Sequence, residues 1–298
     1  MRNWTVFLLV SYVSIIFFWG SSFPAIRFAL HSYTPESLAL FRLLIASSFL
    51  LLIAIILRIG LPNMRDVPIL VLLGCLGFSA YHLFLNKGEI TVGGGIASLL
   101  VTTTPIFSLM LEQLFLRRKG TVRKWLGALI SFFGIAFISF SYDSLSYSIT
   151  GIVFILLAAF SESLYFVFQT RYLQKYRMLA FMTYSIWGGT AGMLCFLPRL
   201  LTEIEEASFS STLAVTYLGI FPSVLPYFAL AYITLKVGAS EATASLYLVP
   251  IVAVILSGIW LDEKINLLGV GGGVITFLGL FLIHEKQQRS RAKGNMNF

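Results

Sequence analysis

Val92-Gly93-Gly94-Gly95-Ile96-Ala97-Ser98-Leu99-Leu100-Val101-Thr102-Thr103-Thr104-Pro105-Ile106 occurs twice in this chain. Its second copy is Val237-Gly238-Ala239-Ser240-Glu241-Ala242-Thr243-Ala244-Ser245-Leu246-Tyr247-Leu248-Val249-Pro250-Ile251, reached by a shift of 145 positions without a gap. Val92 falls on Val237, Gly93 on Gly238, Ala97 on Ala242 and Pro105 on Pro250. The same shift carries Leu116 onto Leu261, Gly127 onto Gly272, Ile130 onto Ile275, Gly134 onto Gly279 and Ile138 onto Ile283. Upstream it carries Leu73-Gly74 onto Leu218-Gly219 and Leu85 onto Leu230. Apolar matches arise by chance in a greasy sequence. Matched glycines and prolines do so far less, because each fixes a backbone feature. The chain reads as two copies of one unit.

Of 298 residues, 58% are hydrophobic and only 11% are charged. Soluble domains carry about 25% charged residues. With a mean hydropathy of +0.88, the chain is an integral membrane protein. The net charge of +8 sits mostly in short loops and the C-terminal tail, which is a topogenic pattern rather than a nucleic-acid surface. Cys75 and Cys195 lie inside apolar stretches and read as packing residues. No His or Cys cluster has metal-ligand spacing, and neither a metal nor another cofactor is expected.

A helix needs about 20 apolar residues to cross a bilayer core. Ten stretches qualify, near 5–25, 36–57, 67–86, 94–116, 123–141, 149–170, 179–199, 211–235, 240–261 and 267–283. They are too long for the strands of a membrane barrel and lack period-two alternation. The predicted fold is an all-α integral membrane protein, with five helices in 1–141, five in 149–283, and a basic tail over 284–298. The first stretch resembles a signal peptide in outline, but its counterpart in the second copy is a retained helix.

Lys and Arg set the orientation. Sixteen of the 21 basic residues fall on one set of loops and the termini, among them Arg117, Arg118, Lys119, Arg123 and Lys124. The other side holds only Lys87, Arg199 and Lys264. The positive-inside rule then predicts a plasma-membrane protein with both termini cytoplasmic. Five crossings per copy reverse the side, so the second copy is expected upside down. The loop Arg117-Arg118-Lys119 aligns with Asp262-Glu263-Lys264, and opposite charge at equivalent loops fits that inversion. Inverted repeats characterise secondary transporters, with the site near the midplane between the copies.

These residues resemble a family. Trp19-Gly20-Ser21-Ser22-Phe23-Pro24, Phe41-Arg42-Leu43-Leu44, Ala97-Ser98-Leu99-Leu100 through Pro105, and Leu261-Asp262-Glu263 followed by Gly272 and Gly279 look like the EamA-type members of the drug/metabolite transporter superfamily. The resemblance runs from about residue 10 to 283. It implies a ten-helix plasma-membrane carrier, most often an exporter of amino acids or other small metabolites. The first copy departs from the pattern, with Arg118 aligned to Glu263 and the nearest acid, Glu112, deeper in its helix.

Glu162 is the sharpest candidate, near the middle of the sixth helix. A mid-bilayer charge costs about 2.5–3.5 kcal/mol on insertion scales and usually faces a cavity or a partner. It reads as a proton acceptor or the partner of a substrate amine, against a structural carboxylate bonded to a hydroxyl. Tyr165 and Gln169 follow at i+3 and i+7 on the same face. In the first helix, Trp19 and Ser22 share a face and are assigned to the cavity, and Pro24 is expected to break the helix. Tyr81, His82 and Asn86 form a polar cluster in the third helix. Its counterpart is Tyr227, in a helix that Pro222 and Pro226 should kink. Thr103 within Thr102-Thr103-Thr104-Pro105, together with Tyr247, completes the candidate set. The threonine hydroxyls can equally bond carbonyls freed by the proline. Arg42 reads as structural, reaching outward or pairing with Glu36.

The expected function is secondary transport of a small-molecule substrate by alternating access, with protons as candidate co-substrate. No GxxxxGK[ST] pattern supports direct ATP drive, and no HExxH or intramembrane aspartate pair supports an enzyme. Efflux of hydrophobic cationic drugs, with Glu162 as counter-charge, is the second reading, and a non-transport membrane protein the third. The lipid bilayer is the expected partner, nucleic acid is not, and the carrier is expected to be a monomer or homodimer.

Overall fold

The structure is a computed structural model. It describes residues 2–116, 122–140, 149–237, 246, 248–262, 267, 270–279 and 281–282. Tyr247, Ser245, the charged loops Arg117-Arg118-Lys119 and Glu263-Lys264, and the basic tail lie outside the described residues.

All regular structure among the described residues is helical. In lipid, a helix satisfies every backbone polar group internally, so long apolar runs have this one solution. The helices are α1 (Arg2–Ala29), α2 (Pro35–Ile56), α3 (Val67–Gly74), α4 (Tyr81–Glu89), α5 (Gly94–Val101), α6 (Thr104–Leu116), α7 (Val122–Phe140), α8 (Ile149–Lys175), α9 (Met178–Met193), α10 (Leu197–Glu206), α11 (Phe209–Ile220), α12 (Leu225–Val237), α13 (Val249–Leu261) and α14 (Val270–Gly279). Among the described residues, seven continuous or near-continuous helical segments are long and apolar enough to cross a membrane. Trp125–Gly134, Val249–Leu261 and Val270–Gly279 are shorter apolar helices. Leu52, Ile55, Phe132, Phe133 and Leu278 are each more than half exposed, an apolar outer surface suited to lipid rather than water. The protein is a multi-pass membrane protein.

Several predicted helices are interrupted, and the interruptions have local causes. A π turn over Cys75–Ala80 joins α3 to α4. Between α5 and α6, Pro105 has no N–H for Val101 O, and Thr104 Oγ1 donates to that carbonyl instead at 2.8 Å. Thr102 and Thr103 bond Leu99 O and Leu100 O in the same manner, at 2.6 and 2.8 Å. Between α11 and α12, Pro222 leaves Leu218 O to the backbone N–H and hydroxyl of Ser223, at 3.1 and 2.8 Å. Pro24 behaves otherwise: α1 runs through it to Ala29, so the expected break does not form.

The two copies meet through equivalent residues. Ser131 and Thr276 are 145 positions apart, the repeat shift itself. Ser131 Oγ donates to Thr276 O at 3.0 Å, and Thr276 Oγ1 reaches Ser131 O at 3.5 Å. Gly134 lies against Thr276 and Gly272, while Gly279 lies against Ser131 and Gly127. The pairs 134 with 272 and 127 with 279 run in opposite directions, so α7 and α14 are antiparallel at this contact. A contact in which each residue meets its counterpart's neighbours is the signature of a two-fold relation. A second such contact joins α2 to α9. Ser47 Oγ and Thr190 Oγ1, 143 positions apart, lie 2.6 Å from each other. Every buried residue of α2 from Ser37 to Leu50 falls, at that shift, on a buried residue of α9.

Candidate functional site

A narrow cleft lies where α1, α4, α5 and α8 meet the start of α13. Trp19, Ser22, Phe23, Tyr81, Ser98, Val101, Thr102, Glu162, Leu246 and Val249 line it. Both copies contribute to its wall.

Glu162 is held mid-way along α8, only 3% exposed. Thr104 Oγ1 stands 3.2 Å from its Oε2. Thr104 opens α6 directly after the Thr102–Thr103 interruption, so the proline that breaks this helix also positions the carboxylate's neighbour. The Tyr227 hydroxyl approaches Glu162 without closing a hydrogen bond onto it. The first helix falls on the sixth at a shift of about 142, which sets Glu162 on Gly20, and the shift of 145 sets Thr104 on Val249. Gly20 does pack on Val249 and Val252, where a Cβ would come within 2.6 Å of Val252 Cβ. The same helix crossing is thus built twice, once with a carboxylate and once with no side chain at all.

Trp19 is fixed from the other side of the chain. Pro226 has no N–H, which frees Pro222 O, and Trp19 Nε1 donates to that carbonyl at 3.2 Å. The Tyr227 ring stands edge-on to the indole, with centroids 5.1 Å apart. Ser22 Oγ bonds back to Trp19 O at 2.7 Å.

Of the residues predicted for the cavity, Trp19, Ser22, Tyr81 and Glu162 come together in the cleft. Tyr227 stands directly behind Trp19, and Thr103 bonds its own helix. His82 is fully buried against Phe78 and Tyr81, and does not line the cleft. Tyr165 packs between Phe78 and Phe181, its hydroxyl donating to Met182 Sδ at 3.4 Å. Gln169 is buried further along α8. The polar cluster of the third helix divides: Asn86 Nδ2 donates to Pro35 O at 3.1 Å, well away from the cleft. Sequence reasoning missed Phe23, Ser98, Val101, Thr102, Leu246 and Val249 as lining residues. Spacing held a signal for some of these, since Trp19, Ser22 and Phe23 stand at i, i+3 and i+4, and Ser98 and Thr102 at i and i+4.

Arg42 does not pair with Glu36. Lys87 Nζ takes Glu36 at 2.9 Å. Arg42, 3% exposed, donates from Nε to Ser223 Oγ at 2.5 Å, and its Nη1 has no hydrogen-bond partner. The cleft therefore offers an aromatic and aliphatic wall, several hydroxyls and one carboxylate, an arrangement that suits a small molecule with an apolar part and a positive group.

Comparison with known proteins gives the same chemistry a context. Both halves of the chain match the EamA-like transporter family, over residues 4–140 and 149–284. The chain is 53% identical over 286 residues to "Uncharacterized transporter YdfC" of Bacillus subtilis, spanning 96% of this chain and 94% of that one. It is 34% identical over 268 residues to a "Probable terminal-alkyne amino-acid exporter" of Streptantibioticus cattleyicolor, spanning 90% of each. A crystal structure of 15% sequence identity superposes with a TM-score of 0.66 over 94% of this chain and 99% of that one, a likeness of fold.

Proposed function

This chain belongs to the EamA-like transporter family, and on that premise we propose that it is a secondary transporter exporting amino acids or related small metabolites across the plasma membrane. In this reading ten helices form two inverted five-helix units, 1–141 and 149–283, with both termini and the tail 284–298 cytoplasmic. The antiparallel contact of α7 with α14 supports the inversion. Alternating access follows as a rocking of one unit against the other around a fixed site. The observation that carries the proposal is Glu162: a buried carboxylate opening on a cleft whose wall comes from both units. A mid-membrane charge is costly and is kept where it meets a substrate or a proton. The exporter from Streptantibioticus cattleyicolor supports an amino acid as the cargo class.

The test is counterflow in proteoliposomes preloaded with L-leucine, reading uptake of labelled L-leucine. Uptake above protein-free vesicles is expected, with loss in Glu162→Gln. If Glu162→Gln moves leucine normally and keeps the pH dependence of the native carrier, Glu162 carries neither amine nor proton. A second reading, efflux of hydrophobic cations, is favoured by the aromatic wall around a single acid. Counterflow of tetraphenylphosphonium without counterflow of leucine would establish it.

A further inference from the structure

We infer that the cleft selects a primary ammonium by its N–H hydrogens, which Ser22, Ser98 and Thr102 accept beside the charge of Glu162, so that the cargo is an apolar amine or an amino acid admitted through its amino end. This rests on the transport reading above and narrows it to a substrate class.

The hydroxyls of the cleft have already spent their hydrogens. A hydroxyl carries one hydrogen and two acceptor lone pairs, and a backbone carbonyl can only accept. Ser22 Oγ bonds Trp19 O at 2.7 Å, Ser98 Oγ bonds Gly95 O at 2.5 Å, and Thr102 Oγ1 bonds Leu99 O at 2.6 Å. Each hydrogen is therefore given to the residue's own helix, and only lone pairs are left for a ligand. Trp19 is committed as well, its Nε1–H to Pro222 O. Among the described lining residues, the Tyr81 hydroxyl is the one side-chain donor that remains.

Glu162 extends the pattern. Pro105 leaves Val101 O without its backbone partner, and Thr104 Oγ1 gives its hydrogen to that carbonyl at 2.8 Å. Thr104 thus meets Glu162 Oε2 oxygen to oxygen, with no hydrogen of its own to offer. No described residue lining the cleft is a lysine, arginine or histidine. A substrate carboxylate would find one phenol there. An ammonium finds a carboxylate and three hydroxyl oxygens, and bonds to them that are strengthened by its charge.

The rings of Trp19, Phe23 and Tyr81 attract any cation, quaternary ones included. The hydroxyls separate the two kinds. Ser22, Ser98 and Thr102 are each no more than 5% exposed, so methyl groups set against them would shut their lone pairs off from water and return nothing. A site built to hydrogen-bond an N–H rejects the analogue that lacks it more strongly than an apolar pocket rejects a misfit of one methylene. Val101, Leu246 and Val249 provide surface for the apolar body.

The test is equilibrium binding to the full-length carrier in lipid nanodiscs, using isoamylamine, its N,N,N-trimethyl derivative, L-leucine and isocaproate (leucine without its amine). Isoamylamine should bind the native protein roughly tenfold or more tighter than the trimethyl cation, and no more weakly than leucine. Thr102→Val keeps the shape and removes an acceptor, and Ser98→Ala removes another. Each should lower the preference for isoamylamine over the trimethyl cation several-fold. A preference left at its native value in both variants would be one of size, and would overturn the proposal. Should neither variant fold, the native comparison decides, and equal binding of the two cations overturns the proposal while cation efflux stands. Leucine bound tenfold tighter than isoamylamine, with isocaproate bound too, would reveal a carboxylate subsite: the proposal falls and amino-acid transport stands. Isocaproate bound in preference to both cations would overturn the role of Glu162 in the transport reading as well.

Discussion

Ser131 and Thr276 occupy the same position in the two halves of this chain, 145 residues apart, and each hydroxyl reaches for the other's backbone carbonyl. The glycines on either side let the helices approach this closely. A Cβ on Gly134 would come within 2.5 Å of Thr276 N, and one on Gly279 within 2.5 Å of Ser131 N. Since backbone lies on the far side, no rotamer change relieves either clash.

Gly134→Ala and Gly279→Ala should therefore destabilise the protein by similar amounts, about 1–3 kcal/mol each, as overpacking usually does. Because both push apart one interface, their effects should fall short of additive. Thermal unfolding of the purified single and double variants measures this. A large effect at one glycine and none at the other would mean that the two-fold contact is not a real mechanical unit.

The Trp19–Pro222 bond exists because Pro226 cannot donate. Trp19→Phe should leave Pro222 O unsatisfied in the membrane interior, at a cost of about 1–3 kcal/mol. Pro226→Ala restores an N–H one turn after that carbonyl. In the Pro226→Ala background, Trp19→Phe should then cost distinctly less. Equal costs in the two backgrounds, by thermal unfolding, would mean that the indole bond contributes nothing to holding α1 on α12.

Gly77 lies in the π turn with the Tyr165 ring pressed on its Cα, so that an added Cβ would come within 2.7 Å of Tyr165 Cδ2. Gly77→Ala should destabilise, and it should cost distinctly less in a Tyr165→Ala background, which removes the nearest atom, Cγ. The comparison is one of unfolding midpoints. If the cost is the same in both backgrounds, the strain lies in the turn and not against the ring.

Outside the membrane spans, the loop before α3 is tied to the loop after α8. Lys175 and Tyr176 both bond the Asp66 carboxylate, and Tyr176 accepts from Asn63 N at 3.2 Å. Lys175, first, and then Tyr176 hold the Asp66 pKa below its ordinary value. A depressed carboxylate stabilises the fold above its unfolded pKa, near 3.9, and loses that contribution as pH falls through the lower folded value. The stability difference between native protein and Asp66→Asn should thus be constant from neutral pH to about 5, then shrink in more acid solution. Unfolding midpoints across that range give the answer, and a difference that grows on acidification would contradict it.

The opposite face carries the related contact in neutral form. Tyr33, which stands 143 positions before Tyr176, bonds Thr212 Oγ1 at 2.7 Å. Charged contacts flank this tyrosine too: Glu36 pairs with Lys87 at 2.9 Å, and Glu203 accepts from Thr34 N at 2.9 Å.

Much of the fold was legible because its signals are local or repetitive. Glycines and prolines that recur at one spacing mark the two units, and long apolar runs leave the backbone no alternative to helix in lipid. The candidate site was legible only in part. Glu162 stood out by its cost. Tyr165 and Gln169 shared its helical face, yet they pack away from the cleft. The reason is that α8 shows one exposed stripe, Ile149, Val153, Leu157 and Phe160, while Ile155, Ala158, Ala159, Ser161, Glu162, Ser163, Tyr165 and Phe166 are all buried, so periodicity separates the outer face from the interior but no cavity face from a packing face.

The sequence by itself determined the membrane class, the duplication and the family, since each follows from composition, spacing or motif. Only the tertiary structure decided which groups meet. Trp19 finds a carbonyl 203 residues away. Arg42 finds Ser223 instead of Glu36, and Ser131 finds its own counterpart. Those pairings depend on where two proline breaks free carbonyls and on how closely glycines let helices approach. Both are three-dimensional consequences of residues whose identity was plain but whose neighbours were not.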